Sequence, residues 1–329
     1  MKILITGSAG HLGEALVRTL RANGDDPVGI DIKPSPFTSS VGSIADRAFV
    51  GESITGCEAV IHTATLHKPH VGTHSRQDFI DSNITGTLNL LEEAVSANCS
   101  AFVFTSTTST FGDAMRPKPG DPAVWVTEDL RYKPKNIYGV TKTSAEDLCS
   151  LFHRNTGMPC IVLKTSRFFP EPDDAKDQRD SFEDANLKIN ELLYRRADIA
   201  DMVSAHQLAV TEAGRIGFDR FIISGDTPFK RSEAAELGQN ASAVVARYFP
   251  NYIEQYERRG WRMFETLGRV YDNSRAREIL GWRPFYTFER AIEMLASDQD
   301  YRSPITHEIG AKGYHAETFT DGPYPVTGF

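Results

Sequence analysis

A tyrosine and a lysine with the chemistry of an acid–base pair lie four residues apart, at Tyr138 and Lys142. The segment from Tyr138 to Phe152 has the pattern of a helix, so this spacing places the phenol and the ammonium on one helix face. A free tyrosine has a pKa of about 10, and lowering it by ~3 units takes about 4 kcal/mol. An adjacent ammonium favours the phenolate, so we expect Lys142 to lower this pKa and Tyr138 to accept the proton of a carbinol. The same spacing also occurs by chance on surface helices, so the neighbouring motifs decide whether it marks an acid–base pair or an ordinary surface helix.

Hydroxyl side chains follow a buried strand predicted over Ala101 to Ser106. The run from Thr105 to Gly112 includes Thr107 and Thr108 and falls at the carboxyl end of that strand, where parallel sheets bind their ligands. We expect one of these hydroxyls to bind and align a substrate oxygen. The alternative is that they only cap a turn.

A glycine-rich loop stands where a phosphate group would be bound. Gly7, Gly10 and Gly13 follow a strand predicted over Lys2 to Thr6 and open a helix, whose N-terminus offers free N–H groups and a positive dipole to a pyrophosphate. Asp31 comes 18 residues after Gly13, where a carboxylate accepts from the adenosine ribose and repels a 2′-phosphate. The loop therefore predicts NAD rather than NADP as cofactor. An ordinary strand, turn and helix with a solvated aspartate is the alternative.

The elements that must position these residues alternate between strand and helix. Further strands are predicted at Val28 to Asp31, Ala59 to Ala64, Pro159 to Thr165 and Arg220 to Ser224, with helices between them. This order predicts an α/β fold with a doubly wound parallel (Rossmann) sheet and a smaller, discontinuous substrate lobe. We predict the dinucleotide-binding domain at residues 1–167 and about 197–226, and the substrate lobe at about 168–196 and 227–303. A surface-hugging C-terminal tail is predicted over 304–329.

Composition and charge exclude several classes of protein. The 329 residues are 40% hydrophobic and 24% charged, as in an ordinary soluble protein, and the net charge of −8 argues against nucleic acid or an anionic membrane as partner. No apolar run reaches the ~18 residues of a membrane helix, and the N-terminal apolar stretch is too short for a signal peptide. The four cysteines are scattered without a CxxC pair, so neither disulfides nor a zinc ribbon are expected. We expect a cytoplasmic protein.

Taken together, these motifs resemble the extended short-chain dehydrogenase/reductases, specifically the NAD-dependent epimerase/dehydratase family, over approximately the whole chain. Further matching segments are Ile61 to Thr65, Asn83 to Thr87, Asp201 to His206 and Asp272 to Pro284. The resemblance implies that Thr107 faces the substrate, that Ser43 and Ile44 flank the adenine, and that Thr63 to Thr65 and Asn83 line the cofactor path. The cofactor-binding residues expected in this way are Gly7, Gly10, His11, Leu12, Gly13, Asp31, Ser43, Ile44, Thr63, Ala64, Thr65, Asn83, Thr105, Ser106, Tyr138, Lys142 and Phe168.

Departures from the family pattern reduce the number of reactions that we expect of this chain. The family's sugar 4,6-dehydratases carry Thr-Asp-Glu at the strand end, whereas this chain has Thr107, Thr108 and Ser109. Because hydroxyl groups do not replace an acid–base pair of carboxyls, we do not expect a 4,6-dehydratase. Ser43 replaces the family's usual aspartate near the adenine, and Arg167 stands where nucleotide-sugar epimerases have a substrate-holding asparagine.

The expected substrate residues are Thr107, Thr108, His67 and Arg167. A guanidinium at Arg167 suits a carboxylate or phosphate of the substrate, although an internal ion pair with an Asp or Glu is the equal alternative. The segment Pro170 to Asp174 resembles a loop of uronate dehydrogenases. We expect no metal site at the three histidines between residues 67 and 74, because Pro69 and Gly72 break any helix that would align them.

Two functions follow from these residues. The first is an NAD-dependent epimerase-type oxidoreductase acting at a carbinol of a sugar or nucleotide sugar, with Tyr138 as the base. The alternative is an NAD-dependent dehydrogenase of a sugar acid or related polyol that releases NADH. We also expect a homodimer, and a structural role for His206.

Overall fold

The computed structural model describes residues 1–313, 315, 319, 322 and 324; the remainder of the predicted tail lies outside the described residues. Its strands are β1 (Lys2–Thr6), β2 (Asp26–Asp31), β3 (Ser40–Val41), β4 (Ala59–His62), β5 (Ala101–Thr107), β6 (Val124–Val126), β7 (Cys160–Thr165), β8 (Phe218–Ile223) and β9 (Arg269–Tyr271). Seven of them form one sheet in the order β3-β2-β1-β4-β5-β7-β8, and every pair in it is parallel. The doubly wound Rossmann sheet predicted from the sequence is confirmed.

Helices cover both faces of this sheet. The α-helices of the described residues, on the sheet and elsewhere, are α1 (His11–Ala22), α2 (Arg47–Ser53), α3 (Arg76–Ile80), α4 (Gly86–Ser96), α5 (Ile137–Thr156), α6 (Lys176–Ser181), α7 (Asp184–Leu192), α8 (Ile199–Ile216), α9 (Ala234–Leu237), α10 (Ala241–Tyr248), α11 (Tyr252–Glu257), α12 (Phe288–Ala296) and α13 (Pro304–Ile309). In β1, Ile3 and Ile5 pack with α1 and α8 on one face, whereas Leu4 packs with α4 and α5 on the other. Side chains alternate across a strand, so a strand that is buried on both faces reads as a continuous apolar run.

Helix α5 carries Tyr138 in its first turn. The helix begins after Asn136, whose side chain accepts from the Gly139 N–H at 3.2 Å, and it ends at Gly157 in the left-handed conformation (φ 77°). This cap fixes the start of the helix beside the end of β5, because α5 packs against both β5 and the turn that follows it. The phenol of Tyr138 is thereby brought to the carboxyl edge of the sheet.

A second hydrophobic core lies apart from the sheet. It joins α7, α10, α11 and α12, and the small parallel pair of β6 and β9 lies beside it. The division into a dinucleotide-binding domain and a substrate lobe stays a prediction.

Within the described residues, none of the helices is both long enough and apolar enough to cross a membrane. Cys57, Cys99, Cys149 and Cys160 are all buried free thiols.

Candidate active site

A cavity of about 760 Å³ opens at the carboxyl edge of the large sheet. Its lining includes residues from the ends of β1, β2, β4, β5 and β7, which is where open parallel sheets bind ligands. The volume lies within the usual range for small-molecule and cofactor sites. Most predicted site residues line it: Gly7, Gly10, His11, Leu12, Gly13, Asp31, Ser43, Ile44, Thr63, Ala64, Thr65, His67, Thr105, Ser106, Thr107, Thr108, Tyr138, Arg167 and Phe168.

The glycine loop has the geometry of a phosphate cradle. Gly7 has a φ of +73°, and a Cβ at Gly13 would lie only 2.0 Å from the carbonyl oxygen of Gly7, so both positions need glycine. The first turn of α1 receives no side-chain cap, and its N–H groups have no acceptor within the helix. These donors border the cavity, so the residues present fit the pyrophosphate of a dinucleotide.

Two anchored loops border the cavity at Asp31 and at Ser43 and Ile44. Asp31 accepts from the Ala9 N–H at 3.0 Å and from the Lys33 N–H at 2.9 Å, which holds its carboxylate at the cavity edge. The Asn89 amide donates to the carbonyl of Ile44 at 3.0 Å, which anchors the second loop. Asp31, Ser43 and Ile44 thus line the cavity, and their ribose and adenine contacts stay predictions.

Tyr138 and Thr107 both line the cavity. Tyr138 is buried. Burial raises the pKa of Tyr138 to about 12, and the nearby Thr107 hydroxyl opposes this rise. Lys142 is not among the groups that shift the pKa of Tyr138, so the lowering expected from Lys142 is not found.

Lys142 lies behind the cavity lining rather than in it. Its ammonium donates to the Thr105 carbonyl at 2.7 Å and lies 3.9 Å from the centre of the Phe104 ring. Burial lowers the pKa of Lys142 to about 7, while the Glu146 carboxylate opposes this effect. The helix spacing predicted from the sequence is confirmed, but the ammonium is turned toward β5.

A buried ion pair supports the hydroxyl-bearing end of β5. Lys164 and Glu146 are completely buried, with their charged atoms 2.5 Å apart. Ser106 donates to Glu146, and Lys164 donates to the Thr110 hydroxyl at 2.7 Å. Because Ser106 and Thr110 lie on either side of Thr107 in the chain, the pair holds both flanks of the residue that contacts Tyr138.

Arg167 was expected either to face the substrate or to form an internal ion pair, and it is placed for both. It lines the cavity, and its guanidinium also bonds Asp173, Asp174 (2.6 Å) and Glu191 (3.3 Å). These carboxylates hold the pKa of Arg167 above its ordinary value, although burial opposes the shift. The cation therefore reaches the cavity with its charge already paired.

Asn83 was predicted along the cofactor path but lies behind it. Its amide is buried in a π-helical turn, where it accepts from the Leu66 N–H at 2.9 Å and donates to the Thr141 hydroxyl at 3.0 Å. It joins the loop after β4 to α5 and does not line the cavity. Its effect on a ligand is to position the neighbouring Thr65, whose hydroxyl donates to it at 2.9 Å.

Histidines close one side of the cavity. His67 lines it and stacks on Phe169 with 5.8 Å between ring centres, and burial lowers the pKa of His67 well below its ordinary value. The ring centre of His70 lies 4.8 Å from that of His67 and 5.0 Å from that of His74. In the part of the chain that the structure describes, no group of three or more His, Cys, Asp or Glu residues is arranged to hold a metal ion.

Other cavity residues were not predicted individually. Glu171 and Asp174 belong to the loop after β7, within the segment that resembles a loop of uronate dehydrogenases. No sequence pattern indicated Arg195, Tyr271, Lys312 and Tyr324, which come from distant parts of the chain. His206 had been expected to be structural. It lies against the site, since its ring nitrogen Nε2 is 2.8 Å from the Thr105 hydroxyl.

The fold and this site define a nucleotide-binding oxidoreductase of the short-chain type. The sequence model of the NAD dependent epimerase/dehydratase family matches residues 3–191. The chain therefore belongs to the NAD dependent epimerase/dehydratase family, as its motifs had indicated. NAD is the cofactor of this family.

Characterised relatives align along most of the chain. It is 25% identical to a dTDP-glucose 4,6-dehydratase of Haemophilus influenzae, covering 89% of this chain and 96% of the relative. It is 26% identical to a UDP-glucose 4-epimerase of Rhizobium meliloti, covering 88% and 94%.

Solved structures share the fold. A UDP-glucose 4-epimerase from Thermotoga maritima superimposes with a TM-score of 0.62 at 20% identity, covering 90% of this chain and 98% of the other. A uronate dehydrogenase from Agrobacterium tumefaciens gives 0.60 at 19%, covering 92% and 91%. At these identities the likeness shows the fold alone.

Proposed function

We propose that this protein is an NAD-dependent epimerase-type oxidoreductase that acts at a carbinol of a sugar or nucleotide sugar. One observation carries the proposal: Tyr138 and Thr107 line the same cavity as the glycine loop and Asp31. A proton-transfer group and a dinucleotide cradle in one cavity are what oxidation of an alcohol requires.

Each residue has a distinct task in this reaction. Thr107 holds the substrate oxygen next to the phenol, and Tyr138 accepts the hydroxyl proton at its Oη atom and later returns it. The chemistry that NAD supplies when bound is the acceptance and return of a hydride. Burial around Tyr138 excludes water from the proton transfer. The ammonium of Lys142 stabilises the phenolate once it turns from the Thr105 carbonyl toward Tyr138.

The substrate class follows from the residues around the pair and from the family. Thr108 and Ser109 are hydroxyl residues, so the strand end lacks the carboxyl pair expected of a sugar 4,6-dehydratase. Relatives of this chain act on dTDP-glucose and UDP-glucose. A sugar or nucleotide sugar is therefore the proposed substrate. We also propose that the enzyme is a cytoplasmic homodimer in carbohydrate metabolism, and light scattering of the purified protein tests the dimer.

A panel of sugars and nucleotide sugars, followed by chromatography of products and by absorbance of the reduced nicotinamide, tests the proposal. We expect an epimeric product without net formation of NADH, and no product with Tyr138→Phe. Net NADH in proportion to product would overturn the epimerase assignment in favour of a dehydrogenase. Absence of product and of NADH binding would overturn both.

A dehydrogenase of a sugar acid is the second candidate, because the Arg167 and Arg195 guanidinium groups both line the cavity. In that case Arg167→Asn raises the KM for an acidic sugar ten- to a hundredfold, since a charge-assisted contact contributes about 1.5–3 kcal/mol. An uncharged analogue is affected less. Arg167→Lys is the matched control, because it keeps the charge but removes the planar double donor.

A further inference from the structure

Helix α8 places the side chain of His206 against strand β5. The ring is completely buried, and α8 packs on β5. The Nε2 atom of His206 lies 2.8 Å from the Thr105 hydroxyl, and its Nδ1 atom lies 2.7 Å from the Met202 carbonyl. Thr105 lines the cavity, whereas His206 is not part of the cavity wall. Any effect of His206 on a ligand therefore passes through Thr105.

The proton positions of this pair follow from the partners of the ring. A carbonyl oxygen only accepts, so the Nδ1 atom of His206 holds a proton and donates to Met202. Burial lowers the pKa of His206 to about 4, so the ring is neutral at pH 7 and its Nε2 atom carries a lone pair. The Thr105 hydroxyl must then donate its single proton to Nε2. The lone pairs that remain make Thr105 a hydrogen-bond acceptor for a ligand in the cavity.

The backbone of the same residue holds Lys142. The Thr105 carbonyl accepts from the Lys142 ammonium at 2.7 Å. Thr105 is thus bonded through its side chain to α8 and through its carbonyl to α5, which lie on opposite faces of the sheet. The Thr105 hydroxyl cannot turn its proton toward the cavity without breaking its bond to His206. Its position and its polarity are therefore fixed before a ligand binds.

We propose that His206 is a positioning residue for the cofactor, which fixes the Thr105 hydroxyl as the acceptor for an O–H or N–H donor of the nicotinamide half of the dinucleotide. This inference rests on the proposed function. Because the glycine loop and Asp31 are expected to bind the pyrophosphate and the adenosine ribose, the nicotinamide half is left for the part of the cavity that Thr105, Thr107 and Tyr138 line. The ribose hydroxyls and the carboxamide of that half are donors, which suit an acceptor-only hydroxyl.

The tautomer of His206 is the first test, because it is measured on the wild-type protein without ligand. Nitrogen NMR of protein with isotope-labelled histidine distinguishes the two ring nitrogens, and the spectrum of His206→Gln assigns the signals. We expect a protonated Nδ1 atom and an unprotonated Nε2 atom at pH 7. A proton on Nε2 would overturn the inference, since Thr105 would then accept from His206 and be able to donate to a ligand.

The second test is the Kd of NADH, measured by fluorescence titration. Thr105→Val removes the acceptor and is expected to raise the Kd about three- to tenfold, the effect of one neutral hydrogen bond. His206→Leu is expected to raise it at least threefold, because the Thr105 proton then has no partner when the hydroxyl accepts from the ligand. Thr105→Ser and His206→Gln keep a hydroxyl and an acceptor, so both stay within twofold of wild type. His153→Leu is the matched control: the Nδ1 atom of His153 also bonds a carbonyl, that of Met158 at 2.9 Å, and His153 does not line the cavity.

The double variant of His206→Leu and Thr105→Val separates a positioning role from a merely structural one. If His206 acts through Thr105, the double variant binds NADH as Thr105→Val does, whereas two effects that multiply would overturn the inference. Wild-type protein that binds no NADH overturns the proposed function itself. NADH binding that neither single variant weakens, or a change confined to the KM for the sugar, overturns this inference and leaves the function standing. Melting temperatures show whether the variants fold, and the tautomer decides the inference if His206→Leu does not.

Discussion

Replacing Lys164 by methionine, and separately Glu146 by glutamine, tests how the hydroxyl-bearing end of β5 is held in place. The two charged groups are completely buried and 2.5 Å apart. Removing one partner of a buried pair leaves an uncompensated charge and destabilises a protein by about 3–5 kcal/mol. Methionine and glutamine keep most of the volume, so the packing term is small.

The structure indicates which variant is the more damaging. In Lys164→Met, the Glu146 carboxylate keeps the Tyr132 hydroxyl at 2.8 Å and Arg220 at 3.4 Å, so we expect a loss near the lower bound, about 3 kcal/mol. In Glu146→Gln, the Lys164 ammonium keeps only the Thr110 hydroxyl, the amide oxygen and the ring faces of Phe111 and Tyr132. We expect about 4 kcal/mol there, and less than the sum of the two losses in the double variant. Urea unfolding measures all three.

The pH dependence of kcat/KM gives a readout that general destabilisation does not mimic. Burial is the main cause that lowers the pKa of Lys142 to about 7. The Lys164 charge lowers this pKa further, whereas the Glu146 carboxylate raises it. If protonated Lys142 is required, activity falls as pH rises through its pKa. Glu146→Gln then moves this alkaline limb to lower pH, and Lys164→Met moves it to higher pH. Limbs that shift in the same direction, or that stay fixed, would refute the coupling of the pair to the catalytic lysine.

Three further predictions follow from the site. Tyr138→Phe lowers kcat more than tenfold, which corresponds to about 1.4 kcal/mol, and leaves the NADH affinity within twofold of wild type. Lys142→Met lowers both kcat and the NADH affinity. Initial rates and fluorescence titration with NADH check the two variants. Asp31→Ala reduces the preference for NAD over NADP, and equal discrimination by both proteins in a binding titration would place specificity elsewhere. Burial lowers the pKa of His206 to about 4, so its contribution to stability is complete above pH 6.5 and is lost as pH falls toward 4. Urea unfolding at pH 7.5 and 4.5 should show a loss of about 2.5 kcal/mol that is smaller in His206→Gln.

The local parts of the site could be predicted from the sequence because their geometry is set by short spacing. Gly7, Gly10 and Gly13 lie between a strand and a helix, and Tyr138 and Lys142 are one helical turn apart, as predicted. Strand β1 was predicted with its observed bounds, since an apolar run bounded by glycine leaves little freedom. Helix α5 was predicted to end at Phe152 and continues to Thr156, because the left-handed Gly157 ends it.

Side-chain directions and distant contacts could not be predicted. The ammonium of Lys142 bonds a carbonyl of β5, 37 positions earlier in the chain, and no local pattern encodes that choice. Asn83 has the polarity of a ligand residue, but its buried amide is used to join two segments of the protein. Lys312 and Tyr324 reach the cavity across almost the whole sequence. Such contacts depend on the path of the folded chain, which one sequence without relatives does not reveal.

The charges around Arg167 bear on the choice between the two proposed functions. Arg167, the cation best placed for an acidic sugar, has Asp173 and Asp174 on its two terminal nitrogens. Arg167 and Lys68 hold the pKa of Asp174 below its ordinary value although burial opposes them, so this carboxylate is firmly ionised. An acidic substrate would have to displace Asp174 from the Arg167 guanidinium, leaving that carboxylate with Lys68 and Tyr324.

A charge-assisted hydrogen bond contributes about 1.5–3 kcal/mol, and exchanging an internal carboxylate for that of a substrate returns only a fraction of this energy. An uncharged sugar ring meets no such competition, because the hydroxyl groups of Thr107 and Thr108 offer neutral partners on the same cavity. The internal pairing of Arg167 therefore favours a sugar ring without a carboxylate at this end of the cavity. It supports the epimerase-type reaction over the oxidation of a uronate.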